Sequence, residues 1–337
     1  MLTLRTVLEA VEPVSRYTVR TPLVPATSLA DTGRQVRLKL ETTQAIGAFK
    51  IRGAVNALSK LTGEQRARGV VCVSTGNHGR ALASAAAQMG SRATVCMSSL
   101  VPRNKLEAIA ALGADVRIHG KSQDEAQALV EELVDKQGMT EIPPFDHPDV
   151  LSGQGTIGLE ICQDWPAVDT LIVPLSGGGL ISGVALAAKA INPDIRVIAV
   201  SPRRGAAMAA SLRAGRPTEV EELPTLADSL GGGIGLNNRY TLEHVSALVD
   251  EVVLLSERQI ADAMRYLYFN EGLVTEGAGA VGAAVLIEQD IRERLADTLG
   301  KRIAIVVSGR NIDMQDFTQI VNKSHPVYSR NGEDGHA

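Results

Sequence analysis

Short apolar runs rich in β-branched residues recur along this chain, each followed by a stretch with helical spacing. That alternation restricts the fold more than any other feature. The runs are VRLKL (36–40), VVCVS (70–74), ATVCM (93–97), DVRIH (115–119), TLIVPL (170–175), IRVIAV (195–200), EVVLL (251–255) and RIAIVVS (302–308). Between them, alanine-rich stretches such as 77–89 (NHGRALASAAAQM) and 181–190 (ISGVALAAKA) have the period and composition of packed helices. Strands that alternate with helices pair in parallel and are covered on both faces. The class is therefore α/β.

Three of these strands, with their helices, fall between about 68 and 137, and the polar, Pro-containing stretch QGMTEIPPFDHPDV follows from Gln137. The strand–helix pattern then restarts and runs to about 322. This order predicts a large domain from residues 1–65 and 148–325, a small inserted domain over 66–147, and a disordered polar tail over 326–337.

A formal net charge of −4 with only 3% aromatic residues argues against nucleic acid, which calls for basic patches and stacking rings. A small molecule is the expected partner. No apolar run reaches the ~18–20 residues of a membrane span, and the N-terminus mixes acids and arginines into its apolar pattern, unlike a secretory signal. Cys72, Cys96 and Cys162 show no CxxC spacing and read as buried reduced thiols of a cytoplasmic protein. HxxxH, HExxH and GxSxG patterns are absent, so neither a zinc site nor a serine-hydrolase elbow is indicated.

Four stretches carry candidate chemistry. In TTQAIGAFKIRGA (42–54), Lys50 follows Phe49 among small residues. Locally it reads best as a solvated lysine near a helix start; desolvated, the same amine would be a nucleophile. STGNHGR (74–80) follows a strand run and opens a helix, a place for an anion to meet free N–H groups, although a βα turn capped by Asn77 fits equally well. LSGGGLISG (175–183) again joins strand to helix, and three adjacent glycines let a backbone wrap a phosphate. It matches neither GxxxxGK[ST] nor GxGxxG. VVSGRNID (306–313) puts Ser308 at the carboxyl end of the last strand, where open α/β sheets bind ligands.

Together these stretches resemble the fold-type II pyridoxal-phosphate enzymes (tryptophan synthase β-like), specifically the threonine dehydratase and serine racemase family. The family's lysine motif, E-x-x-Q-x-x-G-S-F-K-x-R-G-A, is matched by Glu41, Gln44, Gly47, Phe49, Lys50, Arg52, Gly53 and Ala54, with Ala48 in place of the serine. GNHG (76–79), GQGT (153–156), the glycine loop (176–180) and SG-x-N (308–311) follow in the family's order, so the resemblance covers nearly the whole chain.

The resemblance implies two open, twisted, mainly parallel sheets with helices on both faces and an active site between domains. It implies that Lys50 carries pyridoxal phosphate covalently and that Phe49 stacks beside its ring. Asn77 would bond the ring's 3′-oxygen, the backbone of Ser176, Gly177, Gly178, Gly179 and Leu180 would hold the phosphate, and Ser308 would face the ring nitrogen. Ser74, Thr75, Gly76 and His78 would cradle the substrate carboxylate. The implied reaction is loss of water from a β-hydroxy amino acid, giving a 2-oxo acid and ammonia. Racemisation, for which Thr75 would serve the opposite substrate face, and β-replacement are alternatives on the same fold. A two-domain binding protein without catalysis is the alternative in another class. A homodimer or higher homo-oligomer is expected.

Two departures stand out. Where the family places acidic metal ligands, this chain has SPRRGAAM, with Ser201 and Ala207 at the ligand positions and Arg203 and Arg204 between them, so no metal is expected there. ADSLGGGIGLNNRYT (227–241) and NEGLVTEGAGAVG (270–282) look closest to hydroxyectoine-utilisation dehydratases, which would make the substrate a hydroxylated diaminobutyrate. Glu276 matches a family glutamate near the cofactor, without an assignable role.

Overall fold

A computed structural model describes residues 2–101 and 103–329. Its strands, in chain order, are β1 (Leu23–Pro25), β2 (Gln35–Leu40), β3 (Val70–Val73), β4 (Ala93–Met97), β5 (Asp115–Ile118), β6 (Thr140–Glu141), β7 (Thr170–Pro174), β8 (Arg196–Pro202), β9 (Glu251–Leu255) and β10 (Arg302–Val307). They form a six-stranded sheet of order β1-β2-β10-β7-β8-β9 and a four-stranded sheet of order β5-β4-β3-β6. All pairings are parallel except β1 with β2.

The apolar runs of the central strands become strands because both of their faces are buried. Along β7, Leu171 and Val173 join the core on one side of the sheet and Ile172 the core on the other. Val197 and Ala199 of β8 divide from Ile198 and Val200 in the same way, the two-residue period of a strand covered twice. A third cluster serves the four-stranded sheet, bringing Val70, Cys72, Val95 and Met97 together with Ala81 and Leu82. It also takes in Ile51, Ala54, Val55 and Leu58 of helix Lys50–Ser59, so this packing crosses residue 65.

Two strands escaped the sequence reading. β1 is three residues long and ends in Pro25, and β6 is two residues within the stretch read as a crossover. Residues 326–329, assigned to a disordered tail, are ordered at least to Ser329. Pro326–Tyr328 is a 3-10 turn with Val327 buried, held because the Tyr328 hydroxyl reaches Asp262 at 3.2 Å. Residues 330–337 of that tail lie outside the described residues.

Parallel register sets the site. Val307 of β10 lies opposite Leu40 of β2, so the segments after them, Glu41–Lys50 and Ser308–Asn311, emerge side by side. The Phe49 N–H donates to the Ser308 carbonyl at 3.0 Å, and Ala48 bridges Gly309. β7, on the other flank of β10, ends just before the glycine loop. Three of the candidate stretches thus meet at the carboxyl edge of one sheet, as expected for ligands of open α/β sheets.

Beneath the Lys50 helix lies a polar network with little access to water. The Arg52 guanidinium forks onto Glu41 (2.8 Å) and Glu160 (2.7 and 2.9 Å) and reaches the hydroxyls of Thr21 and Thr156. The Lys39 ammonium completes it on Glu160 and the Thr21 carbonyl. Burial works to lower the Arg52 pKa, but the two carboxylates overcome it and hold the pKa above its ordinary value. The GQGT motif has a packing reason. A side chain at Gly153 would bring its Cβ within 2.5 Å of the Arg52 carbonyl oxygen, so only glycine lets helix Pro148–Asp164 cross helix Lys50–Ser59 this closely.

Candidate active site

Lys50 opens its helix at the end of the segment that follows β2 and sends its amine to the Pro144 carbonyl, 2.6 Å away. Burial lowers its pKa to about 8, against a weaker upward pull from Cys72 and Glu276. The amine is 5.4 Å from the Phe49 ring centre, so the aromatic face flanks it. Phe49 and Lys50 are both half-buried.

The glycine loop is bare of internal bonds. From Ser176 to Ile181 no backbone N–H has a partner among the described residues; the next, that of Ser182, donates to the Gly178 carbonyl at 2.9 Å. Gly178 sits at φ +87° and caps helix Gly179–Ile191 without a side-chain bond. Free N–H groups at the start of a 13-residue helix form a seat for a phosphate-sized anion. Phe145 closes one side: a Cβ on Gly177 would come within 2.5 Å of its ring, and one on Gly179 within 2.9 Å of its Cα.

The turn after β3 is organised by Ser74, whose Oγ accepts the N–H groups of Gly76 (3.3 Å) and Gly79 (3.0 Å). The N–H groups of Thr75, Asn77 and His78 and the Thr75 hydroxyl have no partner among the described residues. The His78 ring does not join this cradle. Its Nε2 lies 2.7 Å from the Ile142 carbonyl, which can only accept, so Nε2 carries the proton. Burial, then the Lys50 charge, push its pKa down to about 3, and the ring is neutral.

Asn77 is tied on both sides. Its Nδ2 donates to Glu276 Oε1 at 2.8 Å and its Oδ1 accepts from Asn311 Nδ2 at 2.6 Å. Glu276 also accepts from the Ser229 hydroxyl (2.9 Å) and the Asn311 backbone N–H (3.0 Å). Burial raises its pKa to about 7 against these hydrogen bonds. Glu276, flagged by the sequence without a role, thus holds the amide that faces the site. Asn311 and Ser229 went unassigned because their partners lie far along the chain. Ser308, 3% exposed, donates to the Ala278 carbonyl at 3.3 Å and presents no charge.

Ser201 is buried at the end of β8, and Ala207 begins a helix. No group of three His, Cys, Asp or Glu side chains among the described residues is arranged to hold a metal ion. Nor is any described helix long and apolar enough to cross a membrane.

The chain is 51% identical, over 95% of its length and 96% of the relative's, to a Sinorhizobium fredii protein provisionally assigned as a threonine dehydratase. It is 42% identical to the L-threonine ammonia-lyase of Thermotoga maritima, over 96% of this chain and 79% of that one. Among solved structures, maize serine racemase superposes with a TM-score of 0.89 at 36% identity, covering 96% of this chain and 97% of the other. The family model for pyridoxal-phosphate dependent enzymes matches residues 14–309, and the chain belongs to that family.

Proposed function

We propose that the chain removes water from a β-hydroxy amino acid, of the threonine or serine type or a hydroxylated diaminobutyrate, releasing a 2-oxo acid and ammonia. The observation that carries this reading is the Lys50 amine. It is desolvated, has a pKa of about 8, and is held on Pro144 next to the residue that closes the glycine loop. Relatives named threonine dehydratase and threonine ammonia-lyase support it.

The residues fit pyridoxal phosphate. The unpaired N–H groups from Ser176 to Ile181 suit its phosphate, Asn77 its ring oxygen, Ser308 its ring nitrogen, and Lys50 would hold it covalently. When bound, the cofactor draws electron density from the substrate Cα and weakens its C–H bond. Displaced from the cofactor by the substrate amine, Lys50 would be free to take the Cα proton, a task suited to an amine whose pKa is lowered to about 8. The free N–H groups of Thr75, Asn77 and His78 receive the substrate carboxylate. Turned from the Ala278 carbonyl, the Ser308 hydroxyl would meet the ring nitrogen with a neutral donor rather than a carboxylate, which favours loss of a β-substituent over amino-group transfer.

A second reading has its own observation. The Thr75 hydroxyl is without a partner among the described residues, so it is free to exchange a proton on the opposite substrate face, as racemisation requires. A panel of β-hydroxy amino acids, scored for 2-oxo acid, ammonia and inversion, separates the readings. Cofactor-loaded protein that releases no ammonia from any of them would sink the elimination reading.

The three unpaired, buried cysteines support a reducing, cytoplasmic setting. Exposed Tyr268 and Phe269, edge to face at 5.0 Å, support a homo-oligomer. Light scattering at the monomer mass of 35.6 kDa would exclude that oligomer.

A further inference from the structure

Three consecutive residues between β6 and helix Pro148–Asp164 each meet a different part of the site. Pro144 accepts the Lys50 amine through its carbonyl, at 2.6 Å. Phe145 presses on Gly177 and Gly179 so closely that neither position has room for a Cβ. The Asp146 carboxylate accepts the backbone N–H groups of Arg239 (2.6 Å), Tyr240 (2.9 Å) and Thr241 (2.9 Å). Those N–H groups begin helix Thr241–Leu248, whose own N-cap residue, Tyr240, makes no side-chain cap. Asp146 therefore caps this helix from another part of the chain, its negative charge matched to the positive end of the helix dipole. Pro143 and Pro144 restrict the backbone beside it, so little slack separates the capped end from the carbonyl that meets Lys50.

We propose that Asp146 is a positioning residue for the reaction: by anchoring this segment to the Thr241 helix, it holds the Pro144 carbonyl on the Lys50 amine and Phe145 against the glycine loop, and so keeps water from the amine. The lowered pKa of Lys50, caused first by burial, is what such a cover produces. A cap that served stability alone would change melting without touching the titration of a lysine two residues and one hydrogen bond away. The inference rests on Lys50 being the reactive amine, and its test reports on that reading separately.

The full-length chain, freed of cofactor, is labelled with acetic anhydride across the lysine titration range, and the Lys50 peptide is followed by mass spectrometry. The dissociation constant for pyridoxal phosphate is measured in parallel. Wild-type Lys50 should label with a midpoint at about pH 8. In Asp146→Ala the midpoint should rise by about one pH unit and cofactor affinity should fall roughly tenfold, as water reaches the amine. Asp146→Asn keeps the oxygen that receives Tyr240 and Thr241 but loses the charge, and should fall between the two. Folded variants that keep the wild-type midpoint overturn the proposal, and if the alanine variant does not fold, the asparagine variant decides alone. An ordinary lysine midpoint in the wild type would instead overturn the reading of Lys50 as the reactive amine.

Discussion

The Asn77 amide donates to the Glu276 carboxylate across 2.8 Å, joining the first turn of a helix on the four-stranded sheet to the cap of a helix behind the six-stranded one. Burial raises the Glu276 pKa from 4.5 to about 7, so the folded state holds this proton more tightly than the unfolded chain does. The resulting stabilisation is complete below pH 4.5 and is lost as the pH rises through about 7. Glu276→Gln removes the titration. The stability of the wild type relative to this variant should therefore fall across that window, by on the order of 1–3 kcal/mol. Paired denaturant titrations at several pH values check this, and a flat difference would contradict it.

The glycine loop should tolerate no side chain at Gly177. A methyl there would strike the Phe145 ring, so Gly177→Ala is expected to fold but to bind pyridoxal phosphate at least about tenfold more weakly. Gly90→Ala is the control. Unlike Gly177 it sits at a positive φ, +67°, which strains any side chain, but it has open space around it and lies outside the loop. It should lose only stability. Equal cofactor affinity in the wild type and Gly177→Ala would remove Phe145 from the wall of the site.

Arg52 matches the family's lysine motif, yet its contacts are structural. Arg52→Met would leave Glu41 and part of Glu160 without their counter-charge and should destabilise the chain by about 3–5 kcal/mol. Arg52→Lys, a point charge that cannot fork onto both carboxylates, should fall between. Chemical denaturation measures both, and a loss in Arg52→Met below about 1 kcal/mol would show the network to be dispensable.

Thr75 tests the two reaction outcomes against each other. If its free hydroxyl moves a proton, Thr75→Ala should lose inversion of L-serine while keeping most ammonia release, and Thr75→Ser should keep both. Parallel loss of both activities in Thr75→Ala would leave the residue a carboxylate contact only.

The central strands were legible because burial on two faces writes itself as consecutive apolar, often β-branched residues; ATVCM coincides with β4 to the residue. β1 and β6 were not, since strands of three and two residues carry too little pattern. The glycine loop could be read because its donors are consecutive, Ser308 because it follows the last strand directly, and Phe49 and Lys50 through the motif around them. Locally, however, Lys50 looked like a solvated helix lysine; the carbonyl its amine meets, that of Pro144, lies 94 residues away. Asp146 and Asn311 act on segments 93 and 234 residues distant, and no local spacing announces such pairs. The His78 ring turns to the Ile142 carbonyl, a pairing no side-chain pattern encodes, and only its backbone N–H is left to the turn.

The most direct test of the whole account is Lys50→Ala, reconstituted with pyridoxal phosphate and assayed with L-threonine, L-serine and hydroxylated diaminobutyrate. The account predicts no visible absorbance from a lysine–cofactor link and a fall in ammonia release of about a thousandfold or more, with the fold retained. Survival of that absorbance, or of ammonia release near the wild-type rate, would contradict it.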